Sequence, residues 1–192
     1  MEPERIRTFI AVEIPDQIKE QIERMQRGLR GLAGDVSWVR PASIHLTVRF
    51  LGEISLDLLG AICESVTACA ASHPPFTLEA RGVGCFPSER KPRVLWVGIE
   101  DASGALAEIH SRLEEALSRL GFDRENRAFS PHLTLGRMRS AQSGAVMASR
   151  LKATGFDAHP FRVTRIVVMR SDLGPKGAKH TPQAVCPLRG SG

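Results

Sequence analysis

The pattern of hydrophobic and polar positions divides the first half of the chain into alternating strands and helices. Residues 7–14 form a strand-like run, and the helix that follows places apolar side chains at three- and four-residue steps: Ile18, Ile22, Met25 and Leu29. A second strand begins at His45, and an amphipathic pattern then continues to Ala70. The first half therefore predicts the order β, α, β, α.

The second half predicts strands and helices of the same kinds. Helices are predicted from Ser103 to Leu120 and from Ser143 to Leu151. Strands are predicted over residues 76–80, 94–100, 161–169 and, because prolines bracket it, only weakly over 183–188. We therefore expect an α+β fold with two pseudo-symmetric lobes, each an antiparallel sheet with flanking helices. On this pattern, residues 1–192 form a single domain, a diverged internal duplication with a cleft between its lobes.

A short motif occurs once in each half: H-L-T-V at residues 45–48 and H-L-T-L at residues 132–135. Successive side chains of a strand point to opposite faces, so the His and Thr of each motif share one face and the apolar residues share the other. The same alternation would place Arg49 beside the first His and Thr, and Phe50 on the apolar face. Each lobe thus contributes one HxTx motif to the predicted cleft.

The residue types of the two motifs suit phosphodiester cleavage. Two imidazoles, His45 and His132, could supply a general acid and a general base in one turnover. Hydroxyls from Thr47 and Thr134 could hydrogen-bond the non-bridging phosphate oxygens, and an arginine could neutralise the growing charge. This scheme needs no metal ion and no cofactor.

Composition agrees with a water-soluble enzyme that acts on a polyanion. The 192 residues are 42% hydrophobic and 24% charged, with a formal net charge of +5, and no run approaches the ~20 apolar residues of a membrane span. The N-terminal residues do not read as a secretory signal, so we expect a cytoplasmic location and no membrane partner. Excess Lys and Arg favours a phosphate-rich partner.

Other kinds of active site find little support in the sequence. The four cysteines show no C-x-x-C spacing, and G-x-S-x-G, P-loop and dinucleotide fingerprints are absent. Three further histidines, His73, His110 and His159, have no Thr two residues on, and we interpret them as lying outside the site.

The chain resembles a known family along nearly its whole length. The resemblance rests on both H-L-T motifs and on the segments 38–41 (W-V-R-P), 45–53 (H-L-T-V-R-F-L-G-E), 86–87 (F-P), 92–98 (P-R-V-L-W-V-G) and 129–137 (F-S-P-H-L-T-L-G-R). These look like the RNA 2′,3′-cyclic phosphodiesterases of the 2H phosphoesterase superfamily, historically called 2′-5′ RNA ligases.

The resemblance implies both an activity and roles for five residues. The expected reaction is hydrolysis of a 2′,3′-cyclic phosphate at an RNA 3′ end to a 2′-phosphomonoester, with reversible 2′-5′ ligation as a possible side activity. His45 would donate a proton to the leaving O3′, and His132 would accept one from water. Thr47 and Thr134 would hold the phosphate, and Arg137 has either a binding or a structural role.

Two positions near the expected site are interpreted conservatively. Where family members often carry a Tyr-bearing turn, this chain has His180-Thr181-Pro182, and we interpret His180 as a residue of a surface loop. Phe9, on the first strand, is interpreted as a core residue by its type.

Three alternatives remain open from the sequence. The protein could act on small cyclic nucleotides or 2′-5′ oligonucleotides, it could bind RNA ends without catalysis, or it could be a two-histidine metal hydrolase. The main hypothesis expects a monomer whose partner is RNA with a 2′,3′-cyclic phosphate terminus.

Overall fold

A computed structural model describes residues 4–31, 36–140, 144–174 and 177–190 of the protein. Its four α-helices are α1 (Asp16–Arg30), α2 (Leu59–Ala71), α3 (Ala105–Arg119) and α4 (Gly144–Thr154). The start predicted for the last helix, Ser143, lies outside the described residues. Among those described, no helix is both long and apolar enough to cross a membrane.

Within the described residues, nine strands form one antiparallel sheet. They are β1 (Arg5–Glu13), β2 (Val36–Trp38), β3 (His45–Ser55), β4 (Phe76–Phe86), β5 (Val94–Glu100), β6 (His132–Met138), β7 (His159–Val163), β8 (Arg165–Gly174) and β9 (Gly177–Pro187). Their order in the sheet is β7-β4-β5-β6-β3-β1-β8-β9, and β2 pairs with β6.

The sheet has two halves that meet at one point. We call β3, β1, β8 and β9 the first lobe, and β6, β5, β4, β7 and β2 the second lobe. Their only ladder contact among the described residues is a single pair between β3 and β6, Leu46 opposite Leu133. The predicted α+β class with two antiparallel lobes is confirmed, with the addition that this pair joins the lobes into one continuous sheet.

Each lobe contains a strand–helix–strand unit that ends in an H-L-T strand: β1–α1–β3 in the first lobe and β5–α3–β6 in the second. Two of the helices cross between the lobes: α3, which connects second-lobe strands, packs with α2 beneath the first lobe, and α1, which connects first-lobe strands, packs with α4 beneath the second. From α1, the buried Gln26 side chain donates hydrogen bonds to the backbone oxygens of Val39 (2.9 Å) and Leu135 (3.0 Å). The helices therefore support the strands from below and leave the opposite face free for the cleft.

The strand predicted over 161–169 is wrong as a single element. Residues 159–163 form β7, an edge strand paired with β4, and residues 165–174 form β8, paired with β1 and β9. β7 alternates exposed and buried side chains, whereas Ile166 to Met169 are all buried. An unbroken apolar run of this kind is typical of a strand that is covered on both faces.

The last strand is longer than its sequence predicts. β9 begins at Gly177, well before the predicted Gln183, and it pairs with β8 along its whole length. Pro182 fits because β9 is an edge strand and because the ladder shifts register between Val168 and Met169, opposite this proline. The prediction that His180 lies in a surface loop is consequently wrong, since His180 is on β9.

Candidate active site

A cleft of about 540 Å³ lies between the two lobes. It is lined by residues of β1, β2, β3, β6, β8 and β9 and of the segment between β2 and β3. All five residues predicted for the site line this cleft: His45, Thr47, His132, Thr134 and Arg137. None of the three histidines interpreted as outside the site, His73, His110 and His159, lines it.

Both cleft histidines are anchored in the same way. The Nδ1 of His45 lies 2.9 Å from the backbone oxygen of Ser43, and the Nδ1 of His132 lies 2.7 Å from that of Ser130. A carbonyl oxygen only accepts a hydrogen bond, so each Nδ1 carries the hydrogen and donates it. The Nε2 of each ring is then the nitrogen that exchanges a proton with a ligand.

Each histidine also belongs to a cluster of three rings. His45 stacks on Phe9 with ring centroids 4.5 Å apart, and His180 contacts both rings edge-on at 4.8 Å and 5.0 Å. Phe9 is 2% exposed, so it is buried as its residue type predicts, and it nevertheless lines the cleft. The alternation of strand β1 could have indicated this role, because Phe9 lies two residues after Arg7, which also lines the cleft.

The second cluster surrounds His132 with apolar rings. Phe86 meets the imidazole edge-on at 5.1 Å, Trp96 lies 6.4 Å from it, and the two aromatic rings are 5.2 Å apart. Trp96 packs on Gly84 of the neighbouring strand, where any Cβ would collide with the indole ring. Phe86 and Trp96, which belong to two of the segments that carry the family resemblance, thus pack beside His132.

A β-bulge follows the threonine in both H-L-T strands. In β3 the ladder with β1 skips Val48, and in β6 the ladder with β5 skips Leu135. The extra residue reverses the alternation of the side chains. The second residue after the bulge therefore points into the cleft, and the first points away from it. Phe50 and Arg137, each five residues after its histidine, therefore line the cleft.

The prediction that Arg49 shares a face with His45 and Thr47 is wrong for the same reason. The bulge turns Arg49 away from the cleft and towards α3, where it is 8% exposed. There its guanidinium forms an ion pair with Glu114 and donates a 2.7 Å hydrogen bond to Glu125. Arg49 is consequently part of the contact between β3 and the helices.

The cleft is built to receive an anion. Its described lining contains three arginines, Arg7, Arg40 and Arg137, and no aspartate or glutamate. The Arg7 guanidinium lies over the Phe50 ring at 4.7 Å from the centroid, an arrangement that holds a cation beside an apolar platform. The sequence alone did not assign Arg7, Arg40 or Phe50 to the site.

Burial sets the protonation of the first histidine. Loss of water contact lowers the pKa of His45 to about 4; the hydrogen bond to Ser43 opposes this shift, and nearby His180 adds to it. Burial and then the charge of Arg40 lower the pKa of His180. In the free protein near neutral pH, His45 is thus a neutral imidazole with a free lone pair on Nε2.

Comparison with known proteins decides the family. The model of the 2′-5′ RNA ligase superfamily matches residues 14–175. The chain belongs to the 2′-5′ RNA ligase superfamily. The family predicted from the H-L-T motifs is therefore confirmed.

Similar members of the superfamily come from archaea and bacteria. An RNA 2′,3′-cyclic phosphodiesterase of Archaeoglobus fulgidus is 34% identical over 173 residues, which are 90% of this chain and 94% of the relative. The protein TT0787 of Thermus thermophilus superposes with a TM-score of 0.80 at 26% identity, covering 97% of this chain and 100% of that one. Escherichia coli LigT complexed with 3′-AMP gives a TM-score of 0.77 at 26% identity, covering 96% and 99% of the two chains.

Within the part of the chain that the structure describes, no group of three or more His, Cys, Asp or Glu side chains could hold a metal ion. The four cysteines are free thiols. Activity without a metal ion stays a prediction.

Proposed function

We propose that this protein hydrolyses the 2′,3′-cyclic phosphate at RNA 3′ ends and leaves a 2′-phosphomonoester. Curated relatives that match over most of their length are named RNA 2′,3′-cyclic phosphodiesterases, so the chain is an enzyme, a hydrolase acting on phosphodiester bonds. The observation that carries the proposal is the pairing of two anchored histidines, one from each lobe, in a single cleft lined by arginines.

The proposed reaction needs one proton acceptor and one proton donor. Water attacks phosphorus while His132 takes its proton on Nε2, the bond from phosphorus to O3′ breaks, and O3′ receives a proton from Nε2 of His45. The 3′-hydroxyl and the 2′-phosphate are the products, and each histidine ends in the protonation state in which the other began. Thr47, Thr134 and Arg137 would bind the phosphate oxygens as charge develops on them.

Burial of His45 adds a condition to this assignment. A donor must carry a proton, and the pKa of His45 is lowered to about 4 in the free protein. The cyclic phosphate is an anion, and an anion close to an imidazole favours its charged form. We therefore propose that His45 takes up its proton together with the substrate, so that binding of the anion and protonation of His45 are one coupled event.

The first experiment identifies the product in the presence of a chelator. Purified protein is incubated in excess EDTA with a short RNA that ends in a 2′,3′-cyclic phosphate, and the terminal phosphate is identified. We expect a 2′-phosphate, and we expect His45→Ala and His132→Ala each to lower the rate by about 10²–10⁴-fold, the usual contribution of general acid–base groups.

Controls separate this proposal from the alternatives. His159→Ala removes a histidine outside the cleft that contacts Phe156, and it should leave the rate unchanged. Turnover that EDTA abolishes would support a metal hydrolase, and bound RNA without turnover would support a binding module. A mononucleotide 2′,3′-cyclic phosphate assayed in parallel distinguishes RNA from small cyclic nucleotides.

A 3′-phosphate product would contradict the proposed departure of O3′, and normal turnover by either histidine variant would contradict the two-histidine mechanism. Reversible 2′-5′ ligation, the monomeric state and the cytoplasmic location stay predictions.

A further inference from the structure

A third histidine is part of the cleft, and the mechanism proposed above does not use it. His180 comes from β9, two strands away from Phe9, and its ring completes a triangle with those of Phe9 and His45. The three centroid distances are 4.5, 4.8 and 5.0 Å, within the range of direct ring contact. His180 lines the cleft together with Ser171, its partner residue on β8.

The position of His180 is held from outside the strand. The Arg40 side chain, in the segment before β3, donates a 3.2 Å hydrogen bond to the backbone oxygen of Ala178. This bond connects the start of β9 to the segment that leads into His45. The strand segment that carries His180 is therefore held on one side by the β8–β9 ladder and at its start by Arg40.

We propose that His180 is a positioning residue for His45, which holds the His45 ring against Phe9 and shields it from water. His180 covers the His45 ring edge-on where that ring stacks on Phe9, the orientation in which Nδ1 lies 2.9 Å from the backbone oxygen of Ser43. The reactivity of His45 then depends on a side chain from the last strand of the protein.

The charges around His180 determine the sign of its effect. The titratable and charged groups that line the cleft around His180 or flank it in the β8–β9 ladder include Arg40, Arg7 on β1, His45 on β3, the ion pair of Arg170 and Asp172 on β8, and Lys179 on β9. The groups that share the cleft with His180 are all basic. A proton on His45 or on His180 is therefore repelled by the positive charges around it, including that of the other imidazole when it is protonated. The cover of the His180 ring, and its charge once His180 is protonated, thus both lower the pKa of His45.

The test measures His45 directly in the free protein, so it does not require turnover. The titration of the His45 ring is followed by NMR in wild type, in His180→Ala, which removes cover and charge, and in His180→Gln, which keeps a polar side chain of similar reach without a charge. We expect the His45 midpoint to rise by about one pH unit or more in His180→Ala and by less in His180→Gln. His159→Ala, which removes a histidine in ring contact with Phe156, is the matched control and should leave the midpoint unchanged.

The kinetic readout rests on the proposed function and is kept separate for that reason. If the protein turns over the cyclic phosphate, the pH–rate profile of His180→Ala should shift in the same direction as its NMR midpoint, with kcat changing more than KM. An unchanged His45 midpoint in both His180 variants would overturn the inference whether or not turnover is found. A rise in KM without any shift of the midpoint would overturn it too, because His180 would then act on the substrate and not through His45. If His180→Ala fails to fold, His180→Gln decides alone.

Discussion

His45 and His132 begin the same motif in two lobes, and their backbone anchors match: each Nδ1 donates to the carbonyl of the serine two residues earlier. Their surroundings differ. The ring cluster of His45 contains a second imidazole, His180, whereas the cluster of His132 contains only Phe86 and Trp96 as its other rings. The comparison teaches that the motif aims each imidazole at the cleft, and that residues outside the motif set its chemical character.

The two strands also differ at the fifth position of the aligned motifs, where Arg49 of the first lobe corresponds to Gly136 of the second. Arg49 is buried against Glu114 of α3. At Gly136 there is no room for a side chain, because a Cβ would lie 2.7 Å from the Val36 side chain and 3.1 Å from the backbone oxygen of Ser37. At this position β3 contacts α3 through an ion pair, whereas β6 contacts β2 through close packing of the backbone.

The largest effect on this comparison is expected from Arg49→Ala. Removal of the guanidinium leaves Glu114, 8% exposed, as an unpaired buried charge, and it should lower the free energy of unfolding by about 3–5 kcal/mol. Urea denaturation measures this loss. Arg112→Ala breaks an exposed pair with Glu108 and should cost under about 1 kcal/mol, so equal losses in the two variants would show that burial of Arg49 is unimportant.

The threonines test whether the two motifs contribute equally to catalysis. Thr47→Val and Thr134→Val keep the shape of each side chain and remove one hydroxyl that faces the cleft. A hydrogen bond to a charged group contributes about 1.5–3 kcal/mol, so each variant should lower kcat/KM by about 10–100-fold. A loss confined to one of the two variants would mean that a single lobe holds the phosphate.

The buried state of His45 makes the stability of the protein dependent on pH. Its folded-state pKa of about 4 lies below the ordinary 6.5, so the folded state binds fewer protons than the unfolded state. The difference in proton binding adds an unfavourable term to the free energy of unfolding. This term is absent above pH 6.5 and grows as the pH falls towards 4.

His45→Phe removes that term. Relative to wild type, the variant should therefore gain about 2 kcal/mol of unfolding free energy between pH 7.5 and pH 5, measured by urea denaturation at both values. Val48→Ala, a buried neighbour on the same strand, is the control and should cost the same at both. A His45→Phe difference that does not vary with pH would contradict the burial argument.

The smallest effects are expected at the two positions that the bulges turn into the cleft. Arg137→Gln should raise KM by about tenfold and weaken its dependence on salt, because the side chain offers a charge to the substrate anion. Phe50→Ala should change KM less and leave the salt dependence as it is. Arg162→Gln, an exposed arginine of β7, controls for the change in net charge, and an equal effect there would remove any specific role for Arg137.

These variants also mark the limit of what the sequence predicts. Strand alternation correctly places the four His and Thr side chains of the motifs in one cleft. It fails at Arg49 and Phe50, because a bulge depends on how a strand pairs with its neighbour and has no signature within the strand itself. It fails at His180 because Pro182 weakens the strand signal of β9, although an edge strand tolerates proline.

The single pair of Leu46 and Leu133 has a mechanical consequence for the cleft. Each of these residues directly follows a cleft histidine, so the two histidines lie beside the point about which the lobes would rotate. If the lobes rotate about that point, positions far from it, such as Leu173 and the start of β9, travel furthest, whereas the two imidazoles beside it hardly separate. Such a rotation would widen the mouth of the cleft while the spacing of the two imidazoles is conserved.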